Sequence, residues 1–177
     1  MTEHYALVGM PGCGKSTVGR QLAKRLGVPF FDTDSVIEER IGGSIRDFFE
    51  TQGEAAFRDL EEQTIDDLTQ RGAMVLATGG GAVLRQSNRE HLKSRGTVIY
   101  LRTSPEQLAR RLRNDTKRPL LQVADPLKRL QALYAERDPL YRKAAHFVVE
   151  ARGPSVTMLI NRIIMQIEMA APSGESR

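Results

Sequence analysis

Cysteine occurs once in this chain, at Cys13, and tryptophan not at all. A lone thiol excludes an internal disulfide framework and suits a reducing compartment. Aromatic residues make up only 6% of the chain. No basic run interleaves with them, so the stacking platforms of nucleic-acid binders are missing. No apolar stretch approaches the roughly 20 residues that span a bilayer. The first residues, "MTEHYALVG", have no basic region, apolar core or cleavage site of a secretory leader. The Asn-Lys-x-Asp and Asp-x-x-Gly motifs of base-reading GTPases are absent as well. These gaps leave a cytoplasmic protein that binds neither nucleic acid nor membrane, with its net charge of +4 serving small anionic ligands.

What is present alternates. The chain has 177 residues, 40% hydrophobic and 27% charged, enough for the core of one domain. Short apolar runs, "YALVG", "VPFFD", "MVLAT", "TVIYL" and "HFVVE", read as five strands. Between them lie helical patterns. Val18, Leu22 and Leu26 form one stripe, closed by Gly27 and stopped by Pro29. Phe57, Leu60, Thr64 and Leu68 form another over about 54–71. Ser104-Pro105-Glu106-Gln107 opens a helix with a capping box. Asp125-Pro126 starts a helix with Leu127, Leu130 and Tyr134 on one face, and Arg137 falls at a helix end before Pro139. A stripe from Val156 to Ile167 lines the last helix, and residues 171–177 read as a flexible tail. Strand–helix units with short joints predict an α/β fold, a parallel sheet with helices on both faces.

The densest chemistry lies in "GMPGCGKST", where Gly9-x-x-x-x-Gly14-Lys15-Ser16 joins the first strand to the first helix. Glycines let successive N–H groups point into one concavity, and the helix N-terminus favours phosphate there. Lys15 can reach the β- and γ-phosphates, Ser16 can ligate Mg²⁺, and Thr17 can add a hydrogen bond. This pattern predicts a nucleoside triphosphate site. Cys13 lies inside the loop, either as a small permissive filler or as a thiol with redox sensitivity.

Two carboxylates, Asp32 and Asp34, follow in "FFDTD", at the strand edge where ligands of parallel sheets bind. If still extended, both point one way into the cleft, Asp32 toward metal-bound water and Asp34 toward an attacking hydroxyl. The alternative is a turn in which Asp34 caps the next helix. Arg58, Arg118 and Arg137 are candidates for gripping carboxylate or phosphate. The triplet Gly79-Gly80-Gly81 in "LATGGGAV" lacks the lysine and hydroxyl of a phosphate loop. It serves either a tight strand-end turn or a bare backbone against which a flat acceptor ring can lie.

In this order, "GMPGCGKST", "FFDTD", "EAAFRDLEE", "LATGGGAV", "KRPLL" and "ERDPLY" resemble the shikimate kinase family from about Tyr5 to Ile167. The resemblance implies a three-layer P-loop kinase with a five-stranded parallel sheet in the order 2-3-1-4-5. It implies one kinase domain over 1–170, a substrate-binding region about 33–61 and a mobile lid about 113–125. It implies transfer of the ATP γ-phosphate to the 3-hydroxyl of shikimate, and with no sequence feature marking an interface a monomer is expected. By motif, Gly12, Cys13, Gly14, Lys15, Ser16 and Thr17 would hold ATP. Ser16 and Asp32 would hold Mg²⁺, and Asp34 would contact the acceptor hydroxyl as base. Arg58 and Arg137 would clamp the shikimate carboxylate, with Gly80 and Gly81 lining the pocket. Arg118 would be the lid arginine on the phosphates, and Arg111 and Arg152 would flank adenine. Catalysis would rest on Lys15, Asp34 and Arg118. Gly80→Ala would then weaken shikimate binding and spare ATP. Two other readings stand beside it: a kinase for another polyol acid such as gluconate, and a nucleotide-binding regulator without catalysis.

Overall fold

Strands and helices alternate as the apolar periodicity predicts. The structure is a computed structural model that describes residues 3–113, 124–151 and 155–170. The elements run β1 His4–Val8, α1 Lys15–Leu26, β2 Phe30–Asp32, α2 Thr33–Ile41, α3 Ile45–Gln52, α4 Glu54–Leu68 and β3 Met74–Ala77. A 3₁₀ turn at Ala82–Leu84 precedes α5 Gln86–Arg95, β4 Gly96–Arg102 and α6 Pro105–Arg111. The chain then forms α7 Pro126–Ala144, β5 Phe147–Glu150 and α8 Val156–Ala170.

All neighbouring strands pair in parallel, in the order β2-β3-β1-β4-β5. Ala6, Leu7, Val75, Leu76, Val98 and Ile99 are fully buried, so adjacent residues on both faces of the central strands are covered. Helices on both sides explain why these strands are apolar throughout rather than alternating. The three layers place every strand's C-terminal end on one edge. No helix among the described residues is long and apolar enough to cross a membrane.

Local signals act where the residues predict them. Gly27 caps α1 in the left-handed conformation at φ 69°, and Ser104 and Gln107 complete the capping box of α6. Three expectations fail. The helix containing Arg137 does not end there, because α7 passes through Pro139 and continues to Ala144. Proline withholds the N–H that would meet the Ala135 carbonyl, a cost of about 3 kcal/mol. The buried face of Leu130, Leu133, Tyr141 and Ala144 offsets that cost and holds the helix together on both sides of it. Leu127, expected on that face, is 37% exposed. Asp34 is not extended either, because α2 begins at Thr33.

Candidate active site

The sheet's C-terminal edge carries two glycine loops facing each other. In the first, Gly12 and Gly14 adopt φ of 81° and 96°, which side-chain-bearing residues rarely reach. Gly14 is the N-cap of α1 and supplies no capping side chain. The first-turn N–H groups of that helix are therefore available to an anion. Lys15 is buried and folded back on its own loop, donating to the carbonyls of Gly9 at 2.7 Å and Met10 at 2.9 Å. Cys13 is 2% exposed and its Sγ lies 3.7 Å from Lys15 Nζ. Its thiol is core, and its backbone is the part that belongs to the loop. Arg111, from the end of α6, donates to the Cys13 carbonyl at 3.2 Å and the Ala151 carbonyl at 3.5 Å. It ties the phosphate loop to the chain leaving β5.

Asp32 does two things with its two oxygens. Oδ1 accepts from the N–H groups of Asp34 at 3.0 Å and Ser35 at 3.3 Å, capping α2. Oδ2 accepts from Ser16 Oγ at 2.5 Å. The capping role anticipated for this turn thus exists, but Asp32 performs it instead of Asp34. That frees the Asp34 carboxylate for the cleft. Burial pushes its pKa above the usual aspartate range, and the charge of Asp32 adds to this, against Lys15 and Arg58.

A pocket of about 270 Å³ lies between the loops, lined by Gly12, Gly14, Lys15, Ser16 and Thr17 on one side. Asp32, Asp34, Thr78, Gly79 and Gly80 line the other. The Ser16 hydroxyl and Asp32 carboxylate are hard oxygen donors beside the phosphate cradle. Among the described residues no three metal-binding side chains cluster. That donor set fits Mg²⁺, which keeps several waters and leans on substrate phosphates, better than it fits a caged metal.

Behind Asp34 stands α4. Arg58 Nη1 donates to Glu61 Oε1 at 2.8 Å, and the guanidinium packs over the Phe57 ring at 5.1 Å. Glu61 is 1% exposed. Burial raises its pKa, while Arg58 and the charge of Arg137 oppose the rise. Arg137 thus reaches this cluster from mid-α7, and its Nε is buried with no partner among the described residues. Glu61 was invisible among the sequence candidates because a glutamate reads as solvated surface. The available signal is its position four residues after Phe57 and three before Thr64, on the buried stripe.

The second loop is crowded rather than open. A Cβ on Gly79 would stand 2.9 Å from Asp34 Oδ1 and 3.2 Å from Glu61 Oε2. On Gly80 it would stand 2.7 Å from the Pro11 ring, and on Gly81 it would meet the Arg58 guanidinium. The missing side chains make room first for the site's own groups. Thr33 Oγ1 accepts from Gly79 N–H at 3.0 Å, and Tyr141 donates its O–H to the Gly80 carbonyl at 2.6 Å. Neither residue was a sequence candidate. Arg118 and Arg152, and most of the expected lid, lie outside the described residues.

A triphosphate cradle opposite a carboxylate and two arginines, on a 2-3-1-4-5 sheet, defines a P-loop small-molecule kinase. Residues 11–168 match the family model for shikimate kinase. A shikimate kinase of Paracidovorax citrulli is 60% identical over 93% of this chain and 91% of its own length. One from Burkholderia pseudomallei is 57% identical, covering 92% and 89%. The solved shikimate kinase of Acinetobacter baumannii, in complex with shikimate, superposes with a TM-score of 0.91 at 44% identity, covering 97% and 96%. The chain belongs to the shikimate kinase family, ATP-dependent phosphotransferases.

Proposed function

We propose that this chain transfers the γ-phosphate of ATP to the 3-hydroxyl of shikimate, giving shikimate 3-phosphate and ADP. The observation that carries the reading is the single cleft in which Lys15 and Ser16 face Asp34 across Asp32. Backbone N–H groups of the first loop and Lys15 take the phosphates, for which Lys15 must leave the Gly9 and Met10 carbonyls. Ser16 and Asp32 would hold Mg²⁺, which when bound would supply positive charge against the phosphates. Asp34 orients the acceptor hydroxyl and takes its proton, helped by the raised basicity that burial confers. Arg58 and Arg137 clamp the acceptor carboxylate, with Gly80 and Gly81 forming the floor. Arg111 and Arg152 flank adenine. Arg118, from a lid of about 113–125, reaches the transferring phosphate and excludes water.

The proposal includes one kinase domain over 1–170 with its acceptor region about 33–61, acting as a cytoplasmic monomer without nucleic-acid partners. Coupled ADP release with and without shikimate tests the reaction. Strong stimulation by shikimate, with little by gluconate, is expected, and equal rates with and without shikimate would overturn the reading.

A further inference from the structure

Gly80 sits at the meeting point of the two loops, and one buried phenol holds its carbonyl. Tyr141 is fully buried. Its ring packs on Tyr100 at a centroid distance of 5.0 Å, so its position is fixed by the core rather than by solvent-exposed rotamers. The O–H donates to the Gly80 carbonyl at 2.6 Å across a sequence separation of 61 residues. Burial raises the phenol pKa, so the proton stays on and the group remains a donor. The charge of the Arg137 guanidinium, one helical turn earlier, opposes that rise, which places it near the same phenol. Tyr141 therefore stands between an α7 arginine and the acceptor loop.

The rest of the loop is held in the same way. Thr33 takes the Gly79 N–H, the Ala82 N–H closes on the Gly79 carbonyl at 3.1 Å, and the Leu84 N–H closes on the Gly81 carbonyl at 3.1 Å. Among the described residues, the N–H groups of Gly80 and Gly81 have no partner. Clamping the Gly80 carbonyl fixes the peptide plane it shares with the Gly81 N–H, while the Ala82 bond to the Gly79 carbonyl holds the plane that carries the Gly80 N–H. Those planes decide where the two free donors point. A triplet with no side chains has the conformational freedom to turn them elsewhere, so some other group must hold them.

We propose that Tyr141 is a positioning residue for the acceptor: its O–H locks the Gly80 carbonyl so that the triplet and Arg137 face the acceptor in one fixed register. The idea rests on the shikimate kinase reading above. Its test is steady-state kinetics of Tyr141→Phe, which keeps the ring and its packing and deletes only the hydroxyl. The KM for shikimate is expected to rise about fivefold or more while the KM for ATP stays within about twofold, the pattern of a lost, uniformly used acceptor contact. Tyr100→Phe is the control, because it removes a neighbouring buried phenol bonded at 2.8 Å to Asp138 of the same helix without touching the loop. It should lower the melting temperature and leave both KM values unchanged. A shikimate KM within twofold of the parent for Tyr141→Phe, or an equal rise for Tyr100→Phe, overturns the proposal. The parent protein in the same assay separates the two levels. If shikimate fails to stimulate it, the reaction itself is wrong and the positioning role falls with it.

Discussion

Asp34 is held against its own chemistry. Burial and the neighbouring Asp32 disfavour its charge, while Lys15 and Arg58 favour it, and the balance leaves its pKa raised. A carboxylate with a raised folded-state pKa opposes folding, and the penalty grows as pH climbs from the unfolded value through the folded one. Above the folded value the penalty is fully present, so Asp34→Asn should remove it there. A melting temperature about 2–4 °C higher is expected for each kcal/mol relieved in a chain of this size, together with a loss of ~10²–10⁴-fold in kcat. Scanning calorimetry and turnover measured on one preparation check both halves. A destabilised variant would mean that the charge is better solvated than its burial implies. For the parent enzyme, the acid limb of kcat/KM should fall above the ordinary aspartate value of about 4.

At the scale of elements, the two glycine loops are coupled at Gly80. A methyl group on Gly80 would stand 2.7 Å from Pro11, which is part of the phosphate loop. Gly80→Ala should therefore raise the KM for ATP as well as for shikimate, by about tenfold or more each, contrary to the selective effect expected before the contact was known. Gly81→Ala should act on the acceptor alone, because its methyl group would displace the movable end of Arg58. Initial-rate kinetics with each substrate varied in turn distinguishes the two variants, and identical effects would refute the assignment. This difference also marks how far residues could be read before their neighbours were known. The phosphate loop, the α6 capping box and the carboxylate pair were legible because each is a short segment whose chemistry is local. Pro139 misled because its cost is local while the buried α7 face that offsets it is not. Glu61 and Tyr141 escaped notice because their roles depend on partners far along the chain or on burial that a charge conceals. Tyr141 had one cue, its place one turn after Arg137 in "ERDPLY".

Across the whole molecule, the ends of the sheet differ in character. The site occupies the C-terminal edge, while two histidines sit at the opposite one. His4, at the start of β1, is buried, with Nε2 3.0 Å from the Leu92 carbonyl and no partner for Nδ1 among the described residues. His146 precedes β5, and its Nδ1 accepts from Val98 N–H at 2.9 Å, a bond that protonation would break. Burial lowers both pKa values below 6.5. The unfolded chain then binds the extra protons first, so stability is lost as pH falls from about 6.5 through the folded values. The urea midpoint should drop between pH 7.5 and 5.5, and His4→Gln should flatten the slope. A midpoint independent of pH in the parent would remove the histidines from the account. The contact between Pro11 and Gly80 has a consequence on another timescale. Because Gly80 and Pro11 form part of each other's wall, a descendant that takes a new acceptor cannot begin by diversifying position 80 without also endangering its use of ATP. Drift has freer scope on the outer face of α8, where Met158, Met165 and Met169 are exposed. A randomised library at 158, 165 and 169 should retain many active members, and one at 79–81 very few.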